Sequence, residues 1–147
     1  EVLKGAQSIP GVEVTLKNIN DTKTSDLLEA DAIIVGSPVY NANIAPEVIS
    51  FIDKWPFEGH PLKNKIGAAF VTSGGMSAGE ELVQVSILHS MLVFGMIIVG
   101  GDDWQSALGA SAITEEGPFN QKQMSSIFLN KGFELGKRVA QITIRLN

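Results

Sequence analysis

The chain contains no cysteine. That excludes a disulfide framework, a thiolate metal site and a cysteine nucleophile, and it fits an ordinary cytoplasmic protein. Histidine is nearly absent as well. His60 and His89 are the only two, and their separation leaves no zinc-ligand spacing, so no metal site is expected. His60 falls in a polar loop as a solvated side chain, and His89 falls in an apolar helix as a structural one. Charge is sparse, 18% of residues with a net −5. Without a basic cluster, this argues against nucleic acid as a partner. No apolar run approaches the roughly 20 residues of a membrane span. The richest stretch, Leu82 to Val99, is flanked or interrupted by Glu80, Glu81, Gln84, Ser86, His89 and Ser90. It reads as a buried helix, Gly95, then a buried strand. The dinucleotide fingerprint G-x-G-x-x-G and the Walker A motif are also missing.

What is present suits a globular domain with its own core. The 147 residues are 44% hydrophobic, and residues 1–147 are expected to form a single domain. Glu1 to Gln7 reads as the tail of a helix stopped by Pro10-Gly11. Val12 to Leu16 alternates with period two, which predicts a strand. Ser25 to Ala30 is a short helix, Ala32 to Val35 a buried strand, and Ala45 to Trp55 a helix with Val48, Ile49, Ile52 and Trp55 at core spacing. Lys65 to Thr72 is a strand whose continuous apolar centre implies burial on both faces. Glu80 to Phe94 is a helix ended by Gly95, and Met96 to Val99 another strand. Gly100 to Phe119 has little regular patterning, and a loop of that length is usually functional or partner-facing. Asn120 or Gln121 to Thr143 is the last helix; Gly132 and Gly136 on it would let a neighbour approach closely. Strands alternating with helices predict a parallel sheet covered on both faces, with right-handed crossovers.

Two segments carry candidate chemistry. The strand ending in Gly36-Ser37-Pro38 leads into Val39-Tyr40-Asn41-Ala42-Asn43, and a helix opens at Ala45-Pro46-Glu47 with the expected proline and acid. A planar heteroaromatic ring needs backbone donors and acceptors at its edge and an aromatic or apolar cover on its face. Ser37, Asn41 and Asn43 can brace an open loop, and Tyr40 can stack. The plain alternative is an ordinary strand-to-helix loop. The second segment, Thr72-Ser73-Gly74-Gly75-Met76-Ser77-Ala78-Gly79-Glu80, follows a buried strand and opens a helix. Its glycines let backbone approach a ligand and leave N–H groups free, although many such turns bind nothing.

Gly75-Met76-Ser77-Ala78-Gly79 spells G-x-S-x-G, but no triad follows it. The only later histidine, His89, lies twelve residues on in the same helix, which sets a serine hydrolase aside. Asp102-Asp103 could hold a divalent ion through oxygen or simply be solvated. Trp104 beside it could wall a pocket for a planar substrate or pack at a subunit interface. A two-component receiver would need an aspartate where the strand ends in Gly36-Ser37-Pro38, and there is none.

With these segments in order, the chain resembles the flavodoxin-like proteins over nearly its whole length. The likeness is closest to quinone oxidoreductases related to the tryptophan-repressor-binding protein (WrbA-like) and to NADPH-dependent FMN reductases. Phe94-Gly95-Met96-Ile97-Ile98-Val99-Gly100 and Gly109-Ala110-Ser111 also fall in that family's order. The resemblance implies an α/β three-layer sandwich with strand order 2-1-3-4-5. It implies FMN as cofactor, NAD(P)H as electron donor, and a quinone or similar small molecule as acceptor. Ser37, Pro38, Val39, Tyr40, Asn41, Ala42 and Asn43 would hold the flavin ring, and Thr72, Ser73, Gly74 and Gly75 its ribityl side and edge. Phe94 stands where members often carry a histidine facing a neighbouring subunit's flavin; with Trp104 it is the expected substrate-pocket lining. A homodimer or homotetramer is implied by the same likeness. The family opens with a buried strand and a Ser/Thr-rich phosphate loop, whereas this chain begins inside the following helix. An N-terminal segment of about twenty residues, carrying the first strand, is therefore expected to be missing. A one-electron carrier flavodoxin and a flavin-free flavodoxin-like scaffold are the alternatives.

Overall fold

Two parallel strands carry the molecule. In the computed structural model, which describes residues 1–146, β1 (Ala32–Tyr40) and β3 (Ile66–Ser73) pair from Ala32 opposite Ile66 to Pro38 opposite Thr72. Their apolar runs alternate between two covered faces, as a doubly covered parallel sheet requires. On one face Val35, Ala69 and Val71 pack with Val48, Ile52, Val83, Ile87 and Met91, the inward residues of α3 (Pro46–Ile52) and α4 (Glu80–Val93). On the other face Ile66, Ala68 and Ala110 pack with Leu135 and Val139 of α5 (Ser126–Leu146). Helix α1 (Val2–Gln7) lies against α5, and α2 (Thr24–Glu29) buries Leu27 on the α3/α4 side. Gly132 and Gly136 do admit a close neighbour: a Cβ on Gly136 would sit 1.9 Å from the Val2 carbonyl oxygen. No helix among the described residues is long and apolar enough to cross a membrane.

Beyond β3 the edge strand comes in two pieces. β4 (Ile97–Ile98) pairs with Ile66–Gly67, and β5 (Ala110–Ile113) pairs with Phe70–Ser73. Residues 99–109 bulge out between them and include the 3-10 turn Trp104–Ser106. Gly109 (φ 126°) steers the chain back to the sheet at a point where a Cβ would lie 2.0 Å from the Ala69 carbonyl oxygen. The side chain of Gln84, buried within α4, donates to the Ala110 carbonyl at 2.9 Å and ties β5 to that helix. The segment 100–119, expected to lack regular structure, therefore contains a strand. Its residues Ala-Ser-Ala-Ile are too small to give an apolar alternation.

Val12–Leu16 is not a strand, which corrects the expectation from its alternating pattern. The segment is unpaired and has no regular structure, with Leu16 74% exposed. A strand exists only by pairing, and no neighbour is offered to this one. The edge of β1 away from β3 is met only by the two-residue β2 (Asn43–Ile44), at Val39 and Tyr40. From Ala32 to Gly36 that edge has no strand beside it among the described residues. The sheet is thus the expected α/β arrangement lacking, among the described residues, the first two strands of the expected order.

β1 also runs further than its apolar core. It continues through Gly36-Ser37-Pro38 to Tyr40, where a loop was expected. The Ile66 N–H donates to the Asp31 carbonyl. Regular parallel pairing then points the N–H groups of Ile33, Val35 and Ser37 at β3 and the nitrogen of Pro38 at the open edge. Proline therefore costs no ladder bond there.

Candidate functional site at the carboxyl edge

Three connections meet where the parallel strands end. The first is the hairpin Tyr40-Asn41-Ala42-Asn43. Asn41 and Ala42 have positive φ of 51° and 59°, as a two-residue hairpin turn of the primed type demands. The second is residues 74–79 after β3, and the third is residues 114–119 after β5. The first two touch: a Cβ on Gly79 would lie 2.6 Å from the Cα of Ala42. The second and third are bonded along their backbones. Thr114 donates its N–H to the Ser73 carbonyl at 3.0 Å, and Glu115 and Glu116 donate theirs to the Gly74 carbonyl at 3.0 and 2.9 Å. Ligands of open α/β sheets bind outside the carboxyl ends of the strands, and these three connections form that rim.

The side chains named from the sequence divide into braces and open groups. Ser37 is buried, and its hydroxyl accepts the Ala45 N–H at 3.1 Å while donating to the Pro38 carbonyl at 2.7 Å. It fastens the start of α3 across the hairpin. Val39 packs against the core. Asn43 donates its amide to the Asn41 carbonyl at 2.7 Å, bracing the turn. Ser73 donates to the Gly75 carbonyl at 3.0 Å, shaping the glycine loop. Tyr40, 56% exposed, leaves an aromatic ring at the rim, beside exposed Asn41 and Ala42. Thr72 lies opposite Pro38. Of the loop N–H groups, Met76 donates to Glu116 Oε2 at 2.6 Å and Ser77 to Glu80 Oε1 at 3.1 Å. Those of Gly74 and Gly75 have no acceptor among the described residues.

Phe94 is not brought to this rim within one chain, and Trp104 stands on the bulge between β4 and β5. Trp104 is 83% exposed on the 3-10 turn, which is held by α5: Lys131 Nζ donates to the Gln105 carbonyl at 2.9 Å and Arg138 to that of Gly101. Phe94 caps the far end of α4. It packs against Trp55 and Phe57, with ring centroids 5.4 and 5.8 Å away. The 14 residues of α4 put about 20 Å between that cluster and the glycine loop. Asp103 accepts the Gln105 N–H at 2.9 Å to cap its turn. Exposed Ser77 has positive φ, 57°, and its backbone N–H is held by Glu80 rather than its hydroxyl by a base.

Glu115 and Glu116 belong to the rim and were not singled out from the sequence. They fall within the stretch that shows no pattern. Two acids directly after a strand of the parallel sheet would have marked them, had β5 been recognisable. With Glu80 and Glu81 in the first turn of α4, four carboxylates surround a rim whose three connections contain no lysine or arginine.

The sequence pattern of the NADPH-dependent FMN reductase family matches residues 12–110. A flavodoxin of Aquifex aeolicus is 33% identical over 108 residues, 70% of this chain and 56% of its own length. A flavodoxin of Clostridium saccharobutylicum is 32% identical over 98 residues, with 67% and 60% covered. The chain thus spans less than two thirds of the length of these curated relatives. Among solved structures, an archaeal flavodoxin superposes with a TM-score of 0.71 at 22% identity, over 97% of this chain and 85% of that one. A flavodoxin, WrbA-like protein from Agrobacterium tumefaciens gives 0.70 at 19% identity, over 84% and 72%. These superpositions show a flavodoxin-like fold.

Proposed function

Because the chain belongs to the NADPH-dependent FMN reductase family, we propose that it is an FMN-dependent oxidoreductase passing a hydride from NAD(P)H to a quinone or similar small acceptor. The observation that carries this reading is the rim itself, with unspent N–H groups at Gly74 and Gly75 beside an open aromatic ring at Tyr40. The residues present fit the ring end of FMN. Free backbone donors suit the carbonyl and ring-nitrogen edge of a flavin, and a tyrosine suits its face. The phosphate end would be held outside these three connections, which offer no cation. Bound FMN would supply the redox chemistry, a two-electron relay by which the hydride from the nicotinamide and one proton from solvent together reduce the quinone to its hydroquinone.

The chain's own part is positioning. Ser37 and Asn43 fix the hairpin so that Tyr40, Asn41 and Ala42 present one wall, and Ser73 fixes the turn that exposes Gly74 and Gly75. No side chain at the rim is assigned as an acid or base. Phe94 would reach a flavin only from a neighbouring copy, with exposed Trp104 as further lining, which makes the substrate pocket a property of a homodimer or homotetramer. The test is steady-state oxidation of NADH and NADPH with a quinone acceptor by the FMN-supplemented protein. Turnover that needs both FMN and quinone supports the reading. A folded chain that binds FMN and oxidises neither nucleotide overturns it.

The relatives named flavodoxin favour a second reading, a one-electron carrier. It gives flavin binding without nucleotide oxidation, so the same assay separates the two. A flavin-free scaffold would bind no FMN at all.

A further inference from the structure

The glycines of the loop after β3 are approached closely, and what approaches them is this chain. A Cβ on Gly75 would lie 2.7 Å from Glu116 Oε2, and one on Gly74 would lie 3.2 Å from Glu115 Oε2. The same Glu116 oxygen accepts the Met76 N–H at 2.6 Å, a short hydrogen bond for an N–H donor. Glu116 thus grips Gly74–Met76 twice, donating its backbone N–H to the Gly74 carbonyl and accepting with its carboxylate. The room that glycine provides at 75 is room this carboxylate uses.

The two grips are not equally permanent. The backbone grip is one of three consecutive bonds from Thr114, Glu115 and Glu116. The carboxylate sits on an exposed side chain, and rotation about its own bonds would withdraw it while every backbone bond stays. Withdrawal would leave Gly74, Gly75 and Met76 with three consecutive unspent N–H groups. That is a donor row suited to the acceptor-bearing edge of a planar heteroaromatic.

We propose that Glu116 is a positioning residue that shields this donor row. Its carboxylate holds the Met76 N–H until the carbonyl and ring-nitrogen edge of an isoalloxazine displaces it. The inference rests on the flavin reading above and names a residue and a step that reading does not contain. A flavin entering the site exchanges its own acceptor for the carboxylate, so removing the carboxylate tightens binding of the ring.

The experiment compares the wild-type chain with Glu116→Ala and Glu116→Gln. Riboflavin and FMN are titrated by fluorescence quenching, and the Met76 amide is followed by ¹⁵N NMR. Circular dichroism and thermal unfolding establish that each variant is folded, and Gln preserves the side-chain shape if Ala does not fold. Riboflavin should bind Glu116→Ala about three- to tenfold more tightly than wild type, the scale of one exchanged hydrogen bond, with Gln between them. The wild-type Met76 resonance should move on riboflavin addition. Equal or weaker binding by both variants, with wild-type binding intact, overturns the shielding role and leaves the flavin reading standing. An unmoved Met76 resonance at riboflavin saturation does the same. Absence of flavin binding in all three proteins overturns both.

Discussion

Gly79 and Ala42 meet backbone to backbone, so that a Cβ on Gly79 (φ 103°) would lie 2.6 Å from the Cα of Ala42. This contact joins the hairpin wall to the glycine-loop wall. Gly79→Ala should destabilise the protein by about 1–3 kcal/mol through the combined cost of positive φ and overlap, and should weaken flavin quenching by parting the walls. Urea unfolding of the single variants and of Gly79→Ala/Ala42→Gly should show coupling, with the second change recovering part of the loss.

Ala42 itself holds a conformation that glycine holds more easily, φ 59° in a two-residue turn. Ala42→Gly alone should therefore stabilise the fold by about 0.5–1 kcal/mol. A drop in the urea midpoint would show that the methyl group packs usefully against Gly79.

Helices α1 and α5 cross with no room for side chains at the crossing. A Cβ on Gly5 would lie 1.8 Å from the Phe133 carbonyl oxygen, and one on Gly136 lies 1.9 Å from that of Val2. Gly136→Ala should cost about 1–3 kcal/mol even though alanine is the better helix former. An unchanged thermal midpoint would mean that α1 is not docked as described.

The open edge of β1 gives an alternating exchange pattern. Ile33, Val35 and Ser37 donate to β3 by the pairing register, whereas the N–H groups of Ala32, Ile34 and Gly36 face the edge without a strand. Amide hydrogen exchange should show the first set protected and the second fast. Uniform protection along β1 would contradict the unpaired edge.

Asp26 accepts from Lys17 Nζ at 2.7 Å and from the Lys23 N–H at 2.8 Å. The Lys17 bond first, then the backbone bond, holds its carboxyl below the usual aspartate value. A carboxyl depressed in the fold contributes stability that is complete above its unfolded pKa, about 3.9, and is lost as pH falls through the folded pKa. The stability difference between wild type and Asp26→Asn should be constant at neutral pH and shrink on acidification below about pH 4. Urea midpoints at stepped pH measure it, and a gap that widens on acidification would contradict the assignment.

The sequence displays features that burial and capping impose on neighbouring residues. The continuous run Ile66–Val71, the helix start at Pro46-Glu47 and the stop at Gly95 are all local, and each is found as expected. What was hidden depends on partners distant in sequence. Val12–Leu16 has the alternation of a strand but nothing to pair with. Pro38 looks like a strand breaker, yet its nitrogen faces an open edge. Asn41-Ala42 lacks the Asn-Gly signature of the turn it makes. Ala110–Ile113 is a strand only because Phe70–Ser73 lies beside it. At the candidate site, the glycine loop and the segment Ser37–Asn43 were legible as residue types, although the second was expected as an open loop and not as a hairpin. The bracing role of Ser37 was not legible, because it depends on Ala45 across the hairpin. The carboxylate of Glu116, some forty residues after the loop it occupies, had no local signal at all.

The most direct test of the account is a titration of FMN into the purified, folded chain, followed by flavin fluorescence, alongside Tyr40→Ala. The account predicts saturable quenching in the wild type, and weaker, less quenched binding when the exposed ring at the rim is removed. A folded wild-type chain that leaves FMN fluorescence unchanged would contradict the assignment of the carboxyl edge as a flavin site.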